Sequence, residues 1–195
     1  MPIHGSTTIE DFMTKAIDSD QGAGGQFSRD FLFRIRQIKL AGAFEFDGEN
    51  ELLYARTASL PGRTIENHNV NYFGQVFQVP GRATYSNAEA YSIEFYHDEG
   101  CTLRTKLESA SREVWNEESS TGQYGMPGGE SVINLVQIDK TLRPVKDITL
   151  IGASIREIGD IEYAIADGTG DVLNYSCTFA YHFYKMAHNS GNISS

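Results

Sequence analysis

Residues 54–116 read YARTASLPGRTIENHNVNYFGQVFQVPGRATYSNAEAYSIEFYHDEGCTLRTKLESASREVWN. The run opens with strand formers and stops at Leu60-Pro61-Gly62, where proline removes a backbone donor and glycine frees φ for a turn. In VNYFGQVFQVP (70–80), Gly74 interrupts a strand pattern, which predicts a hairpin tip or a bulge. Tyr91, Ile93 and Phe95 then alternate with Ser92, Glu94 and Tyr96, the period of a half-buried strand. Past residue 102 the period changes. Leu103, Leu107, Ala110 and Val114 share one helical stripe, with Arg104, Lys106, Glu108, Arg112 and Glu113 mostly off it. Asp98 or Glu99, just ahead, suits the positive end of that helix. The stretch is dense in sheet chemistry and holds no catalytic constellation, so it points to a protein that works by shape.

Outward from this run the organisation is one domain with arms. Residues 1–29 form an N-terminal arm, with Thr7 or Thr8 positioned to cap a short helix reaching Ile17 and QGAGGQ (21–26) as a flexible joint. DFLFRIRQIKL (30–40) alternates Phe31, Phe33 and Ile35 against Arg34 and Arg36, as a half-buried strand does. Asp47-Gly48 marks a turn in the 41–51 arm. After the helix, EESSTGQYGMPGGE (117–130) is a loop by composition. Strands are expected at 131–139 and 145–154, and IREIGDIEYAI (155–165) mixes apolar and acidic positions. DGTGD (167–171) is a hairpin turn. Val172 to Tyr184 alternates without a break, as one strand of roughly 43 Å at ~3.3 Å per residue. The β domain spans 30–186, and 187–195 is a flexible tail.

The chain has 195 residues, enough for a core without disulfides or metals. Its 16 basic and 26 acidic residues leave a net charge of −10, which argues against general nucleic-acid binding, since that needs clustered Lys and Arg. Cys101 and Cys177 make no disulfide framework. The first residues lack the basic and apolar regions of a signal peptide, and no run approaches the ~20 apolar residues of a membrane span. These features fit a protein folded in a reducing cytoplasm.

Each fragment of apparent chemistry has a plainer structural reading. His97-Asp98-Glu99 sets an imidazole beside two carboxylates, but neighbouring residues at a strand end point apart and no further ligands follow at metal spacing. Asp167 to Asp171 lacks the length and terminal Glu of a calcium loop. GAGGQ and GMPGG fit neither a dinucleotide fingerprint nor a phosphate loop. Ser6, Ser86 and Ser131 lack a nucleophile-elbow setting. Cys101 starts the helix, yet no base can be assigned to it from the sequence, so it reads as a small buried residue. Glu157, Asp160 and Glu162 share an expected strand with Ile155, Ile158, Ile161 and Tyr163. They read as its wet face, with the paired carboxylates of a glycosidase as the alternative. No catalytic residue, metal ligand or cofactor is expected. The two long strands at 30–40 and 172–184 would aggregate as bare edges, and a symmetric ring would cover them.

Leu60-Pro61-Gly62, the hairpin VNYFGQVFQVPGRATYSN, the strand AYSIEFYHDEG and the helix through Trp115 resemble, in that order, the tail tube proteins of contractile-tailed bacteriophages. ITLIGASIREIGDIEYAIADGTGDVLNYSCTFAYHFYKM is similar to the closing hairpin of that family. The resemblance covers roughly 54–116 and 145–186. Ser154 stands where the family often has Pro, the 41–51 arm is long, and the 117–130 loop is extended.

The resemblance implies a mainly β fold: two packed antiparallel sheets in a small barrel or sandwich, with one flanking α-helix and edge-to-edge ring assembly. It implies a structural role as stacked, hexameric rings of an inner tail tube, enclosing a tape-measure protein and conducting DNA without binding it specifically. The partners implied are further copies of the chain, a tail sheath protein, a baseplate tube-initiator and the tape-measure protein. Six copies would carry −60, so an acidic lumen would repel DNA rather than trap it. On this reading Glu157, Asp160 and Glu162 are candidate lumen-facing residues. Phe44, Phe46, Leu60, Pro61, Gly62, Tyr124 and Met126 are candidate assembly contacts. The 41–51 arm or the 117–130 loop would mediate ring stacking. Alternatives are a baseplate tube-initiator, a type VI secretion or tailocin tube protein, and, from another class, a β-sandwich hydrolase or carbohydrate-binding module.

Overall fold

The computed structural model describes residues 30, 32–40, 45–47, 55–122, 126–139, 141–163 and 170–188. The expected helix ending at Ile17, the 21–26 joint, Phe44, Tyr124 and most of the 167–171 turn lie outside these residues, as does the side chain of Phe46. The fold is mainly β, with two antiparallel sheets facing one another and one helix among the described residues.

The first sheet has five strands in the order β13 (Phe183–His188), β10 (Pro144–Ile151), β9 (Val132–Ile138), β1 (Phe33–Lys39) and β2 (Glu45–Asp47). The second has four: β11 (Ser154–Ile158), β12 (Asn174–Ala180), β6 (Tyr91–Tyr96) and β3 (Ala55–Ala58). Alternation decides which side chains meet between them. Ile38, Ile133 and Leu150 of the first sheet join Tyr91, Ile93, Phe95, Cys177 and Phe179 of the second in one buried cluster. Burying a Leu, Ile or Phe side chain in this way contributes about 1.5 to 3 kcal/mol.

Helix α1 (Thr102–Val114) adds Leu103, Leu107 and Ala110 to this cluster. Val114, expected on the same stripe, is exposed because the helix ends there and Trp115 turns into extended backbone. At the other end Cys101 occupies the N-cap in a left-handed conformation (φ 53°) and supplies no side-chain cap. Asp98 does so instead, its Oδ2 accepting the Thr102 N–H at 2.9 Å. Burial alone would push the Asp98 carboxyl up, but the bonds from Thr102 hold it below the usual carboxylate range. Arg104 fastens the helix to the second sheet, donating to the Gly159 carbonyl at 2.9 Å while its guanidinium lies over the Tyr175 ring.

The long 172–184 strand proves to be two. It breaks at Tyr181–His182, so that β12 pairs in the second sheet and β13 in the first. Its partner does the same: β10 and β11 are separated by Gly152 and Ala153, and the two crossings lie side by side, with the His182 N–H donating to Ile151 O at 2.9 Å. Strands that switch sheets make the corners of a sandwich. Gly152 lies at φ +72°, and a Cβ there would sit 2.0 Å from His182 Cδ2, so the corner accepts only glycine without displacement.

Two further two-stranded ribbons lie among the described residues. Part of the 117–130 segment, expected as loop, forms β8 (Thr121–Gly122) against β7 (Trp115–Asn116). Asn116 Oδ1 closes this turn by accepting the N–H groups of Glu118 and Ser119 at 2.9 and 3.2 Å. The other ribbon, β4 (Arg63–Tyr72) with β5 (Gln75–Tyr85), stands apart from both sheets.

Candidate assembly interface

The β4–β5 ribbon is the most exposed apolar feature of the described residues. Gly74 marks its tip, as expected, but the first leg starts at Arg63, ahead of the expected start at Val70. The turn residues Phe73 and Gly74 have φ of 48° and 76°, the φ signature of the tight turn whose twist suits paired strands. Cross-strand partners share a face. His68/Val79, Val70/Phe77 and Tyr72/Gln75 make one face, and Asn67/Pro80, Asn69/Gln78 and Asn71/Val76 make the other. Val70, Phe77 and Val79 are therefore an apolar row backed by an amide row, and both rows are exposed. Phe73 at the tip is 89% exposed and packs edge-on against Tyr72 at 4.6 Å.

Residues 67–81 contain no Asp, Glu, Lys or Arg, in a chain of net charge −10. The charged pair nearest the tip, Arg82 Nε to Glu66 Oε2 at 2.7 Å, neutralises itself and holds the Glu66 carboxyl below the usual carboxylate range.

The root of the hairpin is built from Leu60-Pro61-Gly62. Pro61 is buried, Leu60 is 57% exposed, and Gly62 exchanges hydrogen bonds with Ser86 across the two legs. A Cβ at Gly62 would meet Ser86 Oγ at 2.5 Å. Of the other candidate contacts, Met126 is 82% exposed.

The three acidic candidates do not share one strand. Glu157 ends up opposite Thr178 on β11, after a bulge at Arg156, while Asp160 and Glu162 lie beyond the end of β11 at Ile158. The polypeptide leaves the sheet at Gly159, whose N–H and carbonyl are taken by Ser176 O and Arg104. All three carboxylates are exposed.

The edges also differ from expectation. β1 is covered by β9 and β2, and β12 by β11 and β6, because the chain supplies its own partners. Among the described residues the edge strands are β13 and β2 in one sheet and β11 and β3 in the other.

The sequence places no partner beside Cys101, and the structure brings an imidazole next to it. His97 Nε2 lies 3.4 Å from Cys101 Sγ and 3.2 Å from Tyr163 Oη. The signal was local: His97 precedes Cys101 by four residues across the turn that starts the helix. Cys101 is partly exposed rather than buried, whereas Cys177 is fully buried and its thiol is pushed up to about 12 by that burial. Among the described residues no three His, Cys, Asp or Glu side chains are arranged to hold a metal ion, and no helix is long and apolar enough to cross a membrane.

No known family model matches the sequence, and no curated protein matches it. The fold is shared with solved components of contractile injection systems. A chain of the anti-feeding prophage baseplate, solved with 6-fold symmetry, aligns with a TM-score of 0.59 at 14% identity, covering 84% of this chain and 97% of that one. A chain of the PVC extracellular contractile injection system's sheath/tube terminator gives 0.57 at 10% identity, covering 83% and 97%. A chain of the anti-feeding prophage tube-terminating cap gives 0.55 at 10% identity, covering 89% and 99%. The sandwich expected from the sequence is thus the fold of chains in baseplate, terminator and cap assemblies.

Proposed function

We propose that this protein is a structural component of the inner tube of a contractile tail-like machine, acting through assembly with copies of itself rather than through catalysis. The observation that carries the reading is the β4–β5 hairpin, a ten-residue-armed ribbon with an exposed apolar face and a charge-free tip on an otherwise acidic chain. Such a surface is costly to leave in water and is suited to burial against another protein. Open edges at β11, β3 and β13 give further sites for pairing. The shared fold with a baseplate solved at 6-fold symmetry supports six copies per ring.

On this proposal the rings stack into a tube within a sheath, a baseplate tube-initiator nucleates them, and the lumen encloses a tape-measure protein. In a bacteriophage the tube would belong to the virion tail, be assembled in the host cytoplasm and conduct DNA. Glu157, Asp160 and Glu162 are proposed to face the lumen, and Leu60, Pro61, Gly62 and Met126 to lie at contacts between copies. Phe44, Phe46 and Tyr124 are proposed contacts in the arm and loop that would stack rings.

Negative-stain microscopy of the purified protein tests the reading. Rings or hollow tubes are expected, and a protein that stays monomeric at high concentration would sink it. A second reading, a tube end-piece, is favoured by the shared fold with a terminating cap and a sheath/tube terminator. It predicts single rings that do not lengthen into tubes.

A further inference from the structure

Between the two sheets, where β1 begins and β3 ends, lies a cleft of about 200 Å³ lined by Leu32, Phe33, Ala58, Leu60, Leu135 and Ile148. It is smaller than the ~300 Å³ at which pockets for drug-sized ligands begin, and it suits a single anchoring side chain. Its rim carries Asp30, Ser59 and Gln137, so an occupant needs an apolar body and no negative charge.

The hairpin tip has that chemistry. Phe73 and Tyr72 are 89% and 64% exposed, and their rings pack edge to face at 4.6 Å on a tight turn. Aromatic side chains, with two rotatable bonds each, lose little freedom on docking. The tip brings no charged side chain near Asp30, since residues 67–81 carry none. It cannot reach its own cleft. β4 starts three residues after Leu60, and its ten residues carry the tip roughly 33 Å away at ~3.3 Å per residue.

Resting on the self-assembly reading above, we infer that the Tyr72–Phe73 tip of one copy seats in the cleft beside Leu60 of a second copy. The two surfaces are different patches of one molecule, so the contact is head-to-tail. Repeated, it closes a ring or runs into a filament.

Two single variants test this, Phe73→Asp in the tip and Leu60→Asp in the cleft, each checked for an unchanged melting profile. Loss of an interface anchor is expected to weaken self-association about tenfold or more in either variant alone, by sedimentation. Mixed one to one, they are expected to form dimers and stop there, because the intact tip of Leu60→Asp still meets the intact cleft of Phe73→Asp. A variant that merely folds badly would not be rescued by mixing. A photo-crosslinking residue at position 60 is expected to capture the 63–85 peptide of another copy. Capture of residues 1–29, or association unchanged in both variants, would overturn the docking while leaving self-assembly standing. A wild-type protein that never associates would overturn the reading beneath it.

Discussion

The rings of Tyr91 and Tyr181 meet edge to face with centroids 5.9 Å apart, and their hydroxyls hold opposite legs of the hairpin root. Tyr91 donates to Ser59 O at 2.6 Å, just before the Leu60-Pro61-Gly62 turn, and Tyr181 donates to Ser86 O at 3.1 Å, just after β5. Both phenols are buried, so the ribbon stands on a clamp set in the core. Tyr91→Phe and Tyr181→Phe should each cost about 1 kcal/mol in urea unfolding, because each removes the hydrogen bond that a buried ring makes to the hairpin root. Both should also weaken self-association, which a purely local loss of stability would not do.

The same burial makes the fold sensitive to alkali. Tyr91, Tyr175 and Tyr181 are all held above the ordinary tyrosine value, chiefly by desolvation. A raised folded value means the stability they contribute is fully present below the unfolded pKa of ~10 and is lost as pH rises beyond it. Unfolding free energy should therefore be level through neutral pH and fall above about pH 10. Tyr181→Phe should shallow that fall, measured by denaturant titration at several pH values.

Gly152→Ala should destabilise by about 1 to 3 kcal/mol, since it forces a left-handed alanine into the His182 ring. Gly128→Ala, where a Cβ meets nothing within 4 Å, should change little. Adding His182→Ala should recover part of the Gly152→Ala loss, and thermal melts of the three variants check this.

Cys101 and Cys177 should behave oppositely toward a thiol reagent. Only Cys101 is accessible, so mass spectrometry of the native protein treated with iodoacetamide should show one modification, and the unfolded protein two.

Replacing Val70 and Phe77 together with serine should cost no more than about 1 kcal/mol of folding stability, because the two are cross-strand partners outside the core cluster and about half of each faces solvent. Self-association should drop sharply. A double variant that still assembles like the wild type would remove the hairpin from the interface.

Much of this was legible in the sequence. Tyr91/Ile93/Phe95 and the Leu103/Leu107/Ala110 stripe point into the core as their periods require. The hairpin begins at Arg63 rather than Val70 because Asn67, Asn69 and Asn71 occupy one face of β4, so no apolar alternation announces the strand there. The break at Tyr181–His182 was invisible for a different reason. Alternation states which way side chains point, and it continues unbroken when a strand passes from one sheet to another. Glu157, Asp160 and Glu162 were grouped on one strand by the apolar residues between them. That spacing carries no sign that backbone bonding ends at Gly159.

The charge-free span at 67–81 has a consequence for how the chain behaves before it meets a partner. Each acidic body repels the next over a range set by ionic strength, about 10 Å at 0.1 M salt. The tip itself carries no charge to be repelled, and screening does not weaken its apolar attraction. Encounter is thus braked at low ionic strength and released as salt rises, the opposite of an association driven by opposite charges. The molecule carries in one ribbon both a solubility problem and the means by which its surroundings decide when that problem is resolved.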